Sequence, residues 1–183
     1  MQRIGVLLLL LVACFSTAMR AQAPAPKPDP ALKTLSVFLG HWTCEAESKA
    51  GPLGPGGKVT SEESIQMILG GFFQQVRGAD KGPTGGQSLE IARYDPVNKN
   101  FPFSGYSNDG STWSGVFSGS GNTLTSAGKG VVAGVQGLFR GTDVFAADLM
   151  SYTEKVEISA DDGKTWVPFF ESKCAKVKPA RKQ

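Results

Sequence analysis

A chain of 183 residues with a formal net charge of +3 has room for one domain with a real core, and not for several. Of its 19 Lys and Arg residues, Arg3 and Arg20 lie in or beside an apolar leader and five crowd the last eleven positions, which leaves 12 bases against all 16 acids in the body. The basicity belongs to the ends, so composition argues against a nucleic-acid binder.

Residues 1–23 read as a signal peptide: Arg3 supplies the positive start, and Ile4 to Ala13 is an apolar run too short to span a bilayer. Two exits compete. Cleavage at the small residues around Ala18 or Ala23 would release a secreted or periplasmic protein. Leu11-Val-Ala-Cys14 also fits a lipobox, in which Cys14 would be acylated and anchor the chain in a bacterial envelope. Contact with a membrane is expected only through that anchor.

Residues 24–30 place a proline at every second position, which removes backbone donors and favours an extended spacer. Leu32, Leu35, Val37, Phe38 and Leu39 predict a short helix that Gly40 ends, and His41 to Lys49 reads as the first strand. The Gly51-Pro-Leu-Gly-Pro-Gly-Gly57 run is a loop. Ile65, Met67 and Leu69 alternate, Gly70-Gly71 turns, and Phe72 to Gly78 returns. Further strands are predicted over 88–94, from Phe101, and over 111–117, 123–129, 138–145, 150–159 and 165–174. Residues 130–137 fit neither strand nor turn by pattern.

Nine or ten short strands joined by glycine turns predict an all-β, up-and-down antiparallel barrel spanning residues 31–175, with a basic tail over 176–183. In a closed meander the first and last strands are neighbours. Cys44 and Cys174, the two cysteines outside the leader, would then meet, and an exported chain favours their disulfide.

Leu35-x-x-Phe-Leu-Gly-x-Trp-x-Cys44, the 51–57 loop, Ile68-Leu-Gly-Gly-x-Phe73, Tyr94-Asp-Pro96 and Asp162-Gly-Lys-Thr-Trp166 occur in an order that resembles the DUF1579 family of small exported bacterial proteins. That family is similar to the calycin-type barrels of lipocalins, fatty-acid-binding proteins and nitrobindins. The resemblance implies a barrel with an internal cavity and supplies no catalytic residues.

Candidate chemistry is sparse. Nitrobindin-like barrels hold haem through a histidine in the C-terminal half, and the only histidine here is His41, so no cofactor is expected. No metal-ligand spacing, Gly-x-Ser-x-Gly elbow or phosphate loop is present. Ser159-Ala-Asp-Asp-Gly-Lys-Thr-Trp166 matches an Asp-box, a device that braces a hairpin. Glu62-Glu63 and Asp161-Asp162 are neighbours that a strand would send to opposite faces.

The expected function is binding of an apolar or amphipathic small molecule inside the barrel, because a barrel of about ten strands tends to be wider than its own side chains can fill. The expected lining is Met67, Leu69, Phe101, Phe103, Trp113, Val116, Arg140, Val156, Ile158 and Trp166. A structural or partner-binding envelope component is the alternative. A small-molecule enzyme using carboxylates or tyrosines such as Tyr106 is a third reading. Oligomeric state is not legible.

Overall fold

The computed structural model describes residues 25–51, 54–82 and 85–178. The signal peptide and the lipobox at Cys14 lie outside the described residues. A 3-10 helix, Pro30–Phe38, precedes ten strands: β1 (Gly40–Ser48), β2 (Gly57–Ile68), β3 (Phe73–Asp80), β4 (Gln87–Arg93), β5 (Phe101–Ser107), β6 (Thr112–Ser120), β7 (Thr123–Val132), β8 (Val135–Phe145), β9 (Ser151–Ser159) and β10 (Val167–Lys176). Each strand pairs antiparallel with the next, and β1 also pairs with β10, so the sheet closes on itself. The all-β up-and-down barrel expected from the strand count is what forms, with ten strands.

The N-terminal helix starts where Asp29 accepts a hydrogen bond from the Ala31 amide at 2.8 Å and Pro30 presets the first turn. It ends as Leu39 turns to extended backbone and Gly40, at φ 128°, leads into β1. One face carries Leu32, Leu35 and Phe38, all buried. They cap one end of the barrel, and each such burial contributes roughly 1.5–3 kcal/mol. The Trp42 indole N–H fastens this plug by donating to the Phe38 carbonyl at 2.6 Å, and Gln74 of β3 donates to the Leu35 carbonyl at 2.7 Å. Phe38 meets Phe145 and Tyr152 edge-on, with centroids 4.8 and 5.6 Å apart.

At the seam, Cys44 of β1 and Cys174 of β10 are direct register partners and are joined by a disulfide. Residues 130–137, which the pattern leaves unassigned, are the tip of the β7–β8 hairpin. Ala133 and Gly134 both have positive φ, as a two-residue turn requires. The glycines on either side of that turn hide the strand alternation. β2 begins at Gly57, well before the apolar alternation that marks its second half, because inward positions 61 and 63 are Ser and Glu.

Candidate functional site

Strand parity decides which side chains enter the barrel. β9 sends Tyr152, Glu154, Val156 and Ile158 inward, and β8 sends Phe139, Gly141, Asp143 and Phe145. Several inward positions are glycines, and aromatic rings pack across two of them. A Cβ on Gly105 would overlap the Trp113 indole packed across it, and one on Gly128 would meet the Phe139 ring at 2.6 Å. The interior holds a cavity of about 380 Å³ running from the helical plug toward the opposite rim at Val132 and Ile158. That volume falls within the usual range for small-molecule sites of about 300–1,000 Å³.

The wall carries an aromatic set and an acidic set. Phe38, Phe103, Trp113, Phe117 and Phe139 supply the first, with Phe103 and Phe117 stacked at 4.2 Å. Glu63 from β2, Glu90 from β4, Asp143 from β8 and Glu154 from β9 supply the second. Among the described residues no Lys, Arg or His lines the cavity with them. Lys176 near the end of β10 lies over the Trp42 ring at 4.7 Å and is not part of this wall.

Three of the four carboxyls have a hydrogen-bond donor. Trp113 Nε1 donates to Glu90 at 2.8 Å, the Ser172 hydroxyl to Glu154 at 3.2 Å, and the Tyr152 hydroxyl to Glu63 at 3.3 Å. Asp143 is 6% exposed and has no side-chain hydrogen bond among the described residues. It stands directly opposite Glu154 in the β8–β9 ladder, where like charges repel.

Burial dominates the titration of all four, since each would hold its charge away from bulk water. Glu90 is pushed up to about 7, even though the indole donor favours its ionised form. Burial raises Glu63 as well, against the pull of Tyr152. Asp143 rises through burial first and then through the charges of Glu90 and Glu63. Glu154 rises through burial and then through Asp143, its partner across the ladder. Burial also lifts the Tyr152 phenol well above its ordinary value. Glu63, Glu90 and Glu154 are only half-buried by accessible area because the surface they show faces the cavity.

Of the residues expected to line the barrel, Phe103, Trp113, Val156 and Ile158 do so. Phe101 is buried beside Tyr94, and Met67 packs against the same cluster near the plug. Leu69 is 72% exposed on the turn after β2. Val116 and Arg140 have the opposite parity and border a groove on the outer face. Trp166 also lies outside the cavity lining, where the Arg140 guanidinium stacks on it at 4.4 Å. Tyr106 is 52% exposed and stands apart from the cavity.

The outer groove, at about 590 Å³, is larger than the cavity, but its acids are paired with bases. Arg140 meets Glu157 at 2.6 Å and Lys155 meets Glu171 at 3.7 Å, the ordinary chemistry of a solvated face. The Asp-box braces the β9–β10 hairpin: Ser159 donates to Asp161 and accepts from the Gly163 amide, and Asp161 accepts from Thr165. Glu62 and Glu63 do part to opposite faces, Glu62 pairing with Lys81 outside at 2.6 Å.

The profile of the family described as "Protein of unknown function (DUF1579)" matches residues 27–175. No match was found among curated proteins. The fold is similar to the crystal structure of Rv2717c from M. tuberculosis, with a TM-score of 0.60 and 14% identity over 83% of this chain and 100% of that one. A weaker likeness, at a TM-score of 0.39 and 12% identity, covers 78% of this chain and 95% of a de novo designed fluorescence-activating β-barrel. At 14% identity the first likeness speaks for the fold alone.

Proposed function

The chain belongs to the DUF1579 family, and from that premise we propose that it is a binding module whose barrel takes an amphipathic small molecule. The observation that carries this reading is the cavity itself. It has a lining that mixes aromatic rings with carboxyls, and a plug at one end. A core serving stability alone would close over such a space, because empty volume costs packing energy. A purely apolar occupant would leave Asp143 without a partner, so the amphipathic half of the expectation is the one the lining favours.

The protein acts outside the cytoplasm in this reading, secreted or periplasmic, with the lipid anchor at Cys14 as the alternative. Support comes from the Cys44–Cys174 disulfide, a bond that persists in oxidising compartments. Among the described residues no helix is long and apolar enough to cross a membrane.

The test is mass spectrometry of small molecules released from protein purified from its own host, followed by thermal shift with the molecules found. A co-purifying amphiphile that raises the melting temperature is the expected result. Protein that carries nothing, and is stabilised by no amphiphile tried, would favour a structural or partner-binding envelope role.

A further inference from the structure

The four inward carboxyls come from four different strands, with no base among the cavity-lining residues to neutralise them. From that arrangement we infer that the ligand is a cation: a hydrophobic amine or quaternary ammonium whose charged head sits between Asp143 and Glu154 and whose apolar body lies along the aromatic rings. The inference deepens the binding reading above and rests on it.

Asp143 points to the head-group position. It is 6% exposed, has no side-chain partner among the described residues, and faces Glu154 across the ladder. Among the described residues no buried side-chain oxygen is both sealed from space and unpaired, so the free oxygens of Asp143 open onto the cavity. A positive group between two facing carboxyls replaces their repulsion with two charge-assisted contacts. Phe117, Phe139 and Tyr152 line the same cavity, and aromatic rings attract a desolvated cation. An organic head group suits the site better than a bare metal ion, because no three acidic side chains among the described residues are arranged around one point. A fatty acid would bring a fifth carboxyl into the same space.

Proton balance gives the inference a second signature. Glu63 and Glu90, Asp143 and Glu154, and the Tyr152 phenol are the titratable groups lining the cavity, and burial holds all of them toward their protonated forms. A cation favours the ionised carboxylates, so its entry must expel protons.

Displacement of a neutral fluorescent probe, N-phenyl-1-naphthylamine, tests the idea on the full mature protein. Three competitors of similar shape are used: 4-phenylbutyltrimethylammonium, 4-phenylbutanol and 4-phenylbutanoate. The ammonium should displace the probe at least about tenfold more tightly than the alcohol, and the carboxylate should be weakest. Asp143→Asn and Glu154→Gln, which keep the side-chain shapes, should erase the advantage of the ammonium over the alcohol. Calorimetry near neutral pH in two buffers of different ionisation enthalpy should show proton release on ammonium binding. Equal affinity for ammonium and alcohol would overturn the cation while leaving the binding module standing. Preference for the carboxylate, stabilisation by calcium or zinc alone, or ammonium binding without proton release would also overturn it. If neither the probe nor any competitor enters, the cavity-binding reading falls too.

Discussion

Replacing Glu90 by Gln should make the empty barrel more stable at high pH, contrary to the usual cost of altering a buried polar residue. Glu90 titrates at about 7 in the folded barrel against an ordinary 4.5. Between those values the folded state holds a proton that the unfolded chain has released. Stability therefore falls as pH rises through this window, and is fully present only below it. A shift of this size corresponds to about 3 kcal/mol above pH 7, and partial access to cavity water reduces it to about 1–3 kcal/mol. Glu90→Gln removes that penalty and keeps an oxygen for the Trp113 indole, 2.8 Å away. Urea unfolding followed by tryptophan fluorescence at about pH 5 and about pH 8 measures both slopes. The wild type should lose stability between the two conditions, and the variant should lose less and be the more stable at the higher one. Glu63, Asp143 and Glu154 still titrate upward in the variant, so its profile becomes shallower without becoming flat. Superimposable profiles, or a variant weaker than wild type at about pH 8, would refute the reasoning.

The double substitution Cys44→Ala, Cys174→Ala opens a loop spanning 130 residues and should cost about 5 kcal/mol in the chain-entropy account, read as a lower urea midpoint. Gly105→Val drives a side chain into the space of the Trp113 indole, and should cost at least about 1–3 kcal/mol while shifting the tryptophan emission as the ring leaves Glu90. Ser159→Ala removes the acceptor of the Gly163 amide under a residue that is 1% exposed, and should lower stability by about 1–2 kcal/mol with the neutral-probe affinity unchanged.

Strand number and the seam are legible in the sequence because apolar alternation and glycine turns survive along most of the chain. The pattern fails where the barrel interior is not apolar. β2 looks half its length because Ser61 and Glu63 hold inward positions, and the β7–β8 hairpin is hidden by Gly128, Gly130, Gly134 and Gly137. The same cause governs the site. Phe103, Trp113, Val156 and Ile158 follow from counting apolar inward positions, but Val116 and Arg140 fall one residue out of phase. Apolar counting misses the carboxyls because a lone acid in a strand normally faces water. Yet each lies two residues from a buried position on its own strand: Glu63 from Ile65, Glu90 from Ala92, Asp143 from Phe145, Glu154 from Val156. Period-two counting applied to the acids finds all four.

An acid-lined interior also gives the position of the disulfide a physical meaning. The β1–β10 ladder is the contact of greatest sequence separation in the barrel, so it is the pairing with the largest closure entropy. Where the carboxyls ionise, their repulsion inside the empty cavity acts on the ring of strands and is relieved wherever the ring parts. A seam held by hydrogen bonds alone would be the natural place to part. Cys44 and Cys174 fix that seam beside the plug, in the same packed cluster as Phe38, Trp42, Phe145 and Tyr152. The crosslink raises the free energy of the open, unfolded chain, and the carboxyls raise that of the folded one. An interior that a cation would neutralise can thus stay assembled while empty, because the disulfide holds the seam that repulsion would open.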